Sequence, residues 1–363
     1  MICCQKSLMI NEWFKKMRKL IIIFCLFTLR LYTFEIKIEL ISQIYLNQDK
    51  VPIGRIRDIT INEKNEIVMV DDKVGNIKIY NEKGELVRSI GRRGAGPGEF
   101  VNPYGIDYKN GVYCVQDIGS FKYVILNKEF EEIKRFFYLI NAGDDIVLDK
   151  GKVITWGYYR GKDGKEYLGA IHDMKGNFIK TLLPYPFPSG SFERSVGADG
   201  FVSVSIKGDI YAVERQDVEI YKFTNDGILI KKFGIRPSFF KKCKRTKDFD
   251  EFLKWGRAPK GIEAARTWRK QFSWIVGLTM FDEFLGIVIS NYNKQYNKFE
   301  YFMQIYNFNG DLLEEGIKIN SIGSSSDECF TIESNKKDTI YVVEGVENEI
   351  PKFRLTKLKV VKK

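Results

Sequence analysis

Five stretches of this chain spell one short pattern: an apolar or β-branched strand ending in Asn or Asp, a glycine turn, then a second strand. IKIYNEKGELVRSIG (Ile77 to Gly91) gives it in full. AIHDMKGNFIKTLL (Ala170 to Leu183), EIYKFTNDGILIKKFG (Glu219 to Gly234) and QIYNFNGDLLEEGI (Gln304 to Ile317) repeat it, and YVILNKEFEEIKRF (Tyr123 to Phe136) carries Phe130 where glycine stands elsewhere. The turn positions Gly84, Phe130, Gly176, Gly227 and Gly310 are separated by 46, 46, 51 and 83 residues. Only the last interval breaks the period.

Two further strand-like runs precede each hairpin, RDITIN (Arg57 to Asn62) and EIVMVD (Glu66 to Asp71) in the first unit, GIDYK (Gly105 to Lys109) and VYCVQD (Val112 to Asp117) in the second. Short runs rich in Ile, Val and Tyr, punctuated by Asn, Asp and Gly, mark an all-β chain of antiparallel hairpins. A lone four-stranded sheet cannot bury both faces, whereas a ring of them can, so four strands per unit at this period predict a β-propeller. A β-sandwich competes, but sandwiches do not repeat turn residues at a fixed interval. Counting units gives six blades, the sixth one strand short at its end. EIKIELISQIYL (Glu35 to Leu46) is expected to supply the missing strand, closing a six-bladed β-propeller by pairing an N-terminal strand with the last blade. The expected organisation is residues 1–34 as a leader and 35–363 as the propeller, with a short helical insertion at 236–274 between blades 4 and 5.

The segment GRRGAGPGEFVNPYGIDYKNGVYCVQD, which joins the first two units, resembles the NHL-repeat group of six-bladed propellers, whose units carry a Gly/Pro loop and then a strand ending in Asp. The likeness covers Ile56 to Phe137 and decays to hairpin periodicity beyond. It implies that the loop runs from the outer strand of one blade to the inner strand of the next, on the face that binds partners. It also implies that Phe100 and Pro103 are wedges and that Gly94, Gly96 and Gly98 supply turns of positive φ.

KKMRKL (Lys15 to Leu20) followed by LIIIFCLFTL (Leu20 to Leu29) has the charge and apolar length of a secretory signal rather than a spanning helix. Arg30 and the lack of a small-residue cleavage pair leave an uncleaved anchor as the alternative. The expected location is therefore the periplasm, envelope or exterior, with membrane contact through residues 17–34 only. Cys114, Cys243 and Cys329 are an odd set in the body, expected as buried thiols rather than a disulfide framework.

The net charge of +11 is unevenly spread. Arg236 to Lys270 holds twelve basic and four acidic side chains, a net of +8, and coincides with the break in the period. TKDFDEFLKW, with Phe249, Phe252 and Leu253 at helical spacing after a Thr/Asp cap, and KGIEAARTWRKQF predict two amphipathic helices. On one reading Trp255, Trp268, Phe272 and Trp274 cement the insertion to the blades and its Lys and Arg face water. On the other it is a lid or docking surface for an anionic partner, with Lys241, Lys242, Arg245, Trp255, Arg257, Arg266, Trp268 and Arg269 as binding residues, joined by Arg92 and Arg93 of the Gly/Pro loop.

The catalytic inventory is thin. The single histidine, His172, is expected as a partly exposed turn residue, and one His with scattered Cys disfavours a zinc site or a Ser-His-Asp triad. No cofactor is expected. The leading reading is an exported, non-catalytic binding propeller for a protein, peptide or anionic glycan. The alternative is a calcium-type metal-dependent hydrolase or lactonase with Asp58, Asp107 and Asp149 in the central channel. An RNA-binding propeller is a third reading, disfavoured by export.

Overall fold

The computed structural model describes residues 35–137, 145–188, 191–192, 196, 199–322, 330–346 and 352–362. The leader 1–34 and Cys329 lie outside the described residues. Among the described residues no helix is long and apolar enough to cross a membrane. The chain divides into one unit of Met1–Lys37 with Val361–Lys363 and a second of Ile38–Val360, which is the propeller.

After β1 (Ile36–Tyr45) the chain lays down four-stranded antiparallel sheets in strict succession. The first is β2 (Ile56–Ile61), β3 (Ile67–Asp71), β4 (Asn76–Tyr80) and β5 (Leu86–Ile90), and the second β6 (Pro103–Lys109), β7 (Val112–Asp117), β8 (Lys122–Asn127) and β9 (Glu132–Phe137). Next come β10 (Asp145–Asp149), β11 (Lys152–Arg160), β12 (Glu166–Asp173) and β13 (Phe178–Pro184), then β14 (Gly200–Val204), β15 (Ile210–Glu214), β16 (Ile220–Phe223) and β17 (Leu229–Phe233). Helices α1 (Lys247–Trp255) and α2 (Pro259–Arg269) follow, then β18 (Trp274–Met280), β19 (Phe284–Asn293), β20 (Lys298–Asn307) and β21 (Leu312–Lys318). β22 (Phe330–Ser334), β23 (Thr339–Val346) and β24 (Lys352–Lys362) complete the sixth sheet, in the order β1-β24-β23-β22. The N-terminal strand thus closes the ring as expected. Because β1 makes its sheet the first the chain enters, the helices stand between blades 5 and 6 in chain order; the expected 4 and 5 counted from Ile56.

Strands β3 and β4 are buried along their whole length, while the middle of β5 is exposed. That gradient follows from the ring, in which inner strands are covered on both faces by neighbouring blades and only the outermost meet water. One inter-blade core packs Val68, Val70 and Ile77 of one sheet against Ile106, Tyr113 and Val124 of the next, with Phe100 wedged in at 1% exposure. The same kind of core spans the closing junction, where Ile56, Ile59 and Met69 meet Tyr341, Val343 and Leu355.

The hairpins explain why Asn and Asp recur at strand ends. Asn81 Oδ1 accepts the backbone N–H groups of Lys83 and Glu85, both at 3.0 Å. Asn127, Asp173 and Asn307 repeat this on the residues two and four further on. The side chain thereby satisfies turn donors that the ladder leaves over. Phe130 takes the glycine position at φ 67°, and its ring stacks on Tyr113 at 4.3 Å, which offsets the cost of a left-handed non-glycine residue.

Several local expectations change. His172 is 3% exposed rather than at a turn surface, because β12 carries it inward against Tyr123, Tyr159 and Phe178. Thr246 precedes α1 without a side-chain capping bond, and Leu253 is 49% exposed. Of the three loop glycines only Gly98 has positive φ; a Cβ at Gly94 would meet the Glu99 carboxylate, which would have to swing aside. Cys114 is a buried free thiol.

Candidate functional site

The six innermost strands β2, β6, β10, β14, β18 and β22 neighbour one another around the ring and enclose the central channel. At their N-terminal ends lies a cavity of about 320 Å³ to which all six contribute. The loops that lead into β6 and β18, carrying Arg92 and Arg93 and the helical insertion respectively, open on this same face, since each brings the chain from an outermost strand to the start of the next innermost one. Trp268 and Arg269 of α2 line the cavity, so the insertion forms part of its wall.

Local irregularity in the sheets sets what points into this space. Ile56 pairs with Asp71 and Asp58 with Val70, leaving Arg57 as the extra residue of a β-bulge. Pro103 pairs with Asp117 and Gly105 with Gln116, leaving Tyr104; Ile275 pairs with Ile289 and Gly277 with Val288, leaving Val276. Bulges re-aim a side chain at the cost of one ladder pair, and all three of these residues line the cavity. The equivalent bulges of neighbouring sheets bring Arg57 over the ring of Tyr104 at 5.1 Å. Arg215 lies over Phe201 at 4.7 Å and Arg269 over Trp274 at 5.7 Å, and these four residues line the cavity too. Three arginine–aromatic pairs therefore surround one small space. Arg57 Nε also donates to the buried Asp72 carboxylate at 2.7 Å. Stacking on a ring holds a guanidinium plane in place, and with five N–H donors a guanidinium so paired still has others suited to carboxylate or phosphate oxygens.

The same wall carries acids. Asp58 Oδ2 accepts the N–H of Ile106 at 2.8 Å, Asp107 Oδ2 that of Leu148 at 2.6 Å, and Asp145 Oδ2 that of Val202 at 2.8 Å. Each bond runs from one innermost strand to the next, so these carboxyls lace adjacent blades together. Ser334 does the same between β22 and β18, donating to Met280 O at 2.7 Å and accepting from Met280 N at 3.3 Å. Removal from water pushes Asp145 up to about 7 and Glu333 up to about 8. Asp58 is raised well above its ordinary value, first by burial and then by the charges of Asp145 and Glu333. Lys336 is held charged by Asp107, Glu333 and Asp149 against the opposing effect of burial. Asp107, Glu333 and Lys336 also line a second cavity of about 660 Å³ at the opposite ends of the strands, and so form the partition between the two.

The residues singled out from sequence separate into groups. Trp268, 5% exposed, and Arg269 reach the channel; the Trp268 indole donates to Lys244 O at 3.0 Å and its ring packs on Phe249 at 4.8 Å and Trp274 at 5.4 Å. Lys241, Lys242, Arg245, Arg257 and Arg266 are exposed on the outside of the insertion, Arg245 paired with Asp250 at 2.7 Å. Trp255 is also exposed there, with the ammonium groups of Lys254 and Lys260 over its ring. Arg92 pairs with Glu99 within its own loop at 2.8 Å. Arg93 donates to the carbonyls of Asp72, Lys73 and Val101 at 2.6, 2.9 and 3.1 Å, fastening the loop to the β3–β4 turn. Asp58 and Asp107 line the channel, but Asp149 faces Lys109 at 3.6 Å and accepts from Asn225 at 2.9 Å. Among the described residues no group of three or more His, Cys, Asp or Glu is placed to hold a metal ion. Sequence reasoning missed Arg57, Tyr104, Phe201, Arg215, Asp145 and Glu333. Only the strand-start position of some of them could have marked them.

A family described as a 6-bladed β-propeller, DUF5128, matches residues 16–247. Among solved structures, a member of the DUF4221 family from Bacteroides vulgatus is similar at 11% identity with a TM-score of 0.61, covering 91% of this chain and 99% of that one. A candidate exported protein from Bacteroides fragilis is similar at 16% identity with a TM-score of 0.56, covering 90% of this chain and 96% of that one. At such identities the likeness is one of fold. No curated protein matches the sequence.

Proposed function

The chain belongs to the DUF5128 family of six-bladed β-propellers, and we propose that it is an exported, non-catalytic binding protein whose site is the channel cavity beside the helical insertion, taking a small anionic ligand. The observation that carries this is the ring of three arginine–aromatic pairs, Arg57 with Tyr104, Arg215 with Phe201 and Arg269 with Trp274, around a single cavity. Its volume of about 320 Å³ sits at the lower end of the range for small-molecule sites, which favours a ligand of one or two rings over a polymer. The basic outer face of the insertion then serves to steer anions toward the mouth. Export is supported by the charged and apolar run Lys15 to Leu29 and by the description of the Bacteroides fragilis relative. The NHL-like loop Gly91 to Asp107 fits this role as part of the same face.

Calorimetric titration of small carboxylates against the neutral amides of the same acids tests the reading. The acids should bind and the amides should not, and Arg269→Ala should weaken the acids at least tenfold. Equal binding of acid and amide, or an Arg269→Ala protein with unchanged affinity, would refute it.

A further inference from the structure

We propose that the ligand of this cavity is a polyhydroxylated carboxylic acid, a sugar acid, whose carboxylate meets the arginine–aromatic pairs while its hydroxyls meet Asp58, Asp145 and Glu333 on the same wall. The proposal rests on the anion-site reading above and adds the selectivity that these carboxyls impose.

A purely anionic ligand would gain from arginines alone, and negative carboxyls beside them would repel it. Yet Asp58, Asp145 and Glu333 line the same cavity as Arg57, Arg215 and Arg269. The charged groups facing the three carboxyls are Asp107 from β6, Arg215 after β15, and Lys336 at the β22–β23 turn. In that setting burial pushes Glu333 up to about 8 and Asp145 up to about 7, so Glu333 is largely protonated at pH 7 and Asp145 about half so, while burial and the charges of Asp145 and Glu333 raise Asp58 well above its ordinary value. A protonated carboxyl carries one O–H donor besides its acceptor capacity, so it can both give a hydrogen bond to a hydroxyl and take one from it.

The bonds these groups already make leave room for that role. Asp145 accepts from Ile146 at 2.9 Å and Val202 at 2.8 Å, and Glu333 Oε1 from Ser334 N at 2.7 Å. Each oxygen has two acceptor sites, so the backbone does not exhaust them. Ile146, Val276 and Leu278, which also line the cavity, supply apolar surface of the kind that the C–H face of a pyranose covers. A ligand with one carboxylate, several hydroxyls and an apolar ring face matches the three kinds of lining together.

The experiment uses the full chain and three probes of similar ring size: glucuronate, cyclohexanecarboxylate and glucose. Calorimetry at pH 7 should show glucuronate binding about tenfold tighter than cyclohexanecarboxylate, with glucose weaker than glucuronate, since a site built for hydroxyls discriminates against a ligand that lacks them. Glu333→Gln should keep the preference and Glu333→Leu should reduce it at least fivefold. If cyclohexanecarboxylate binds as well as glucuronate, the hydroxyl selectivity is overturned and the anion site stands. If neither acid binds, the anion-site reading falls with it. Should Glu333→Leu not fold, the comparison of probes on the native chain and on Glu333→Gln still decides the matter.

Discussion

Replacing Arg93 by alanine should destabilise the ring without touching the cavity, whereas the same change at its neighbour Arg92 should do neither. The guanidinium of Arg93 donates to three backbone carbonyls, those of Asp72, Lys73 and Val101, and so joins the Gly/Pro loop to the turn that follows β3. A net worth of about 0.5–1 kcal/mol for each bond, at the low end because the side chain reaches solvent, gives a loss of roughly 1.5–3 kcal/mol. With an unfolding entropy of about 2.1 cal/mol/K per residue, a ring of this length loses about 1.5 °C per kcal/mol, so the midpoint should fall by roughly 2–4 °C. Arg92 makes one solvent-exposed pair with Glu99, a class of contact whose removal is seldom measurable. Thermal and guanidinium unfolding of both variants beside the native chain, with a carboxylate titration of each, form the assay. An Arg93→Ala protein that melts within 1 °C of the native one, or that loses ligand affinity with an unchanged midpoint, would refute the assignment of this arginine to the fold.

Two further expectations concern pH and the insertion. Burial holds His172 down to about 4 in the folded protein, while the unfolded chain protonates near 6.5, so its contribution is present above that value and is lost as pH falls toward 4; His172→Phe should gain in melting temperature relative to the native chain between pH 7 and 5. Glu333 has the opposite sign: folded it keeps its proton up to about 8 and unfolded it loses it near 4.3, so its contribution declines as pH rises between them, and Glu333→Gln should gain on the native chain between pH 6 and 9. A flat difference in either series would show that the group is not buried as described. Trp268→Ala removes a ring packed on Phe249, Phe272 and Trp274 and should cost about 3–5 kcal/mol, much of it in the docking of the helices. Limited proteolysis should then cut within residues 236–274 before the blades open, and an unchanged digestion pattern would count against it.

How much of this was legible beforehand differs by element. The hairpins were, because Asn81, Asn127, Asp173 and Asn307 build their turns from bonds to residues two and four further on, and such local chemistry leaves a mark at fixed spacing. Trp268 was marked as an aromatic of the insertion, and it does reach the channel. The role of Arg93 was not legible, since a basic side chain beside a turn reads alike whether its partner is a ligand or the carbonyl of Asp72, 21 residues away. His172 was misplaced because a strand end beside a turn gives no warning of which face of the blade it occupies.

The sequence by itself determined the blade, its repetition and the closing of the ring, all of which follow from strand alternation, turn residues and the edge that an unclosed sheet would expose. Tertiary structure alone decided the site. Its wall takes residues from strands scattered between Ile56 and Glu333, and one-residue bulges turn Arg57 and Tyr104 into the channel against the strand period. A pattern read along the chain can register neither the meeting of six distant strands nor a shift of one residue in their pairing.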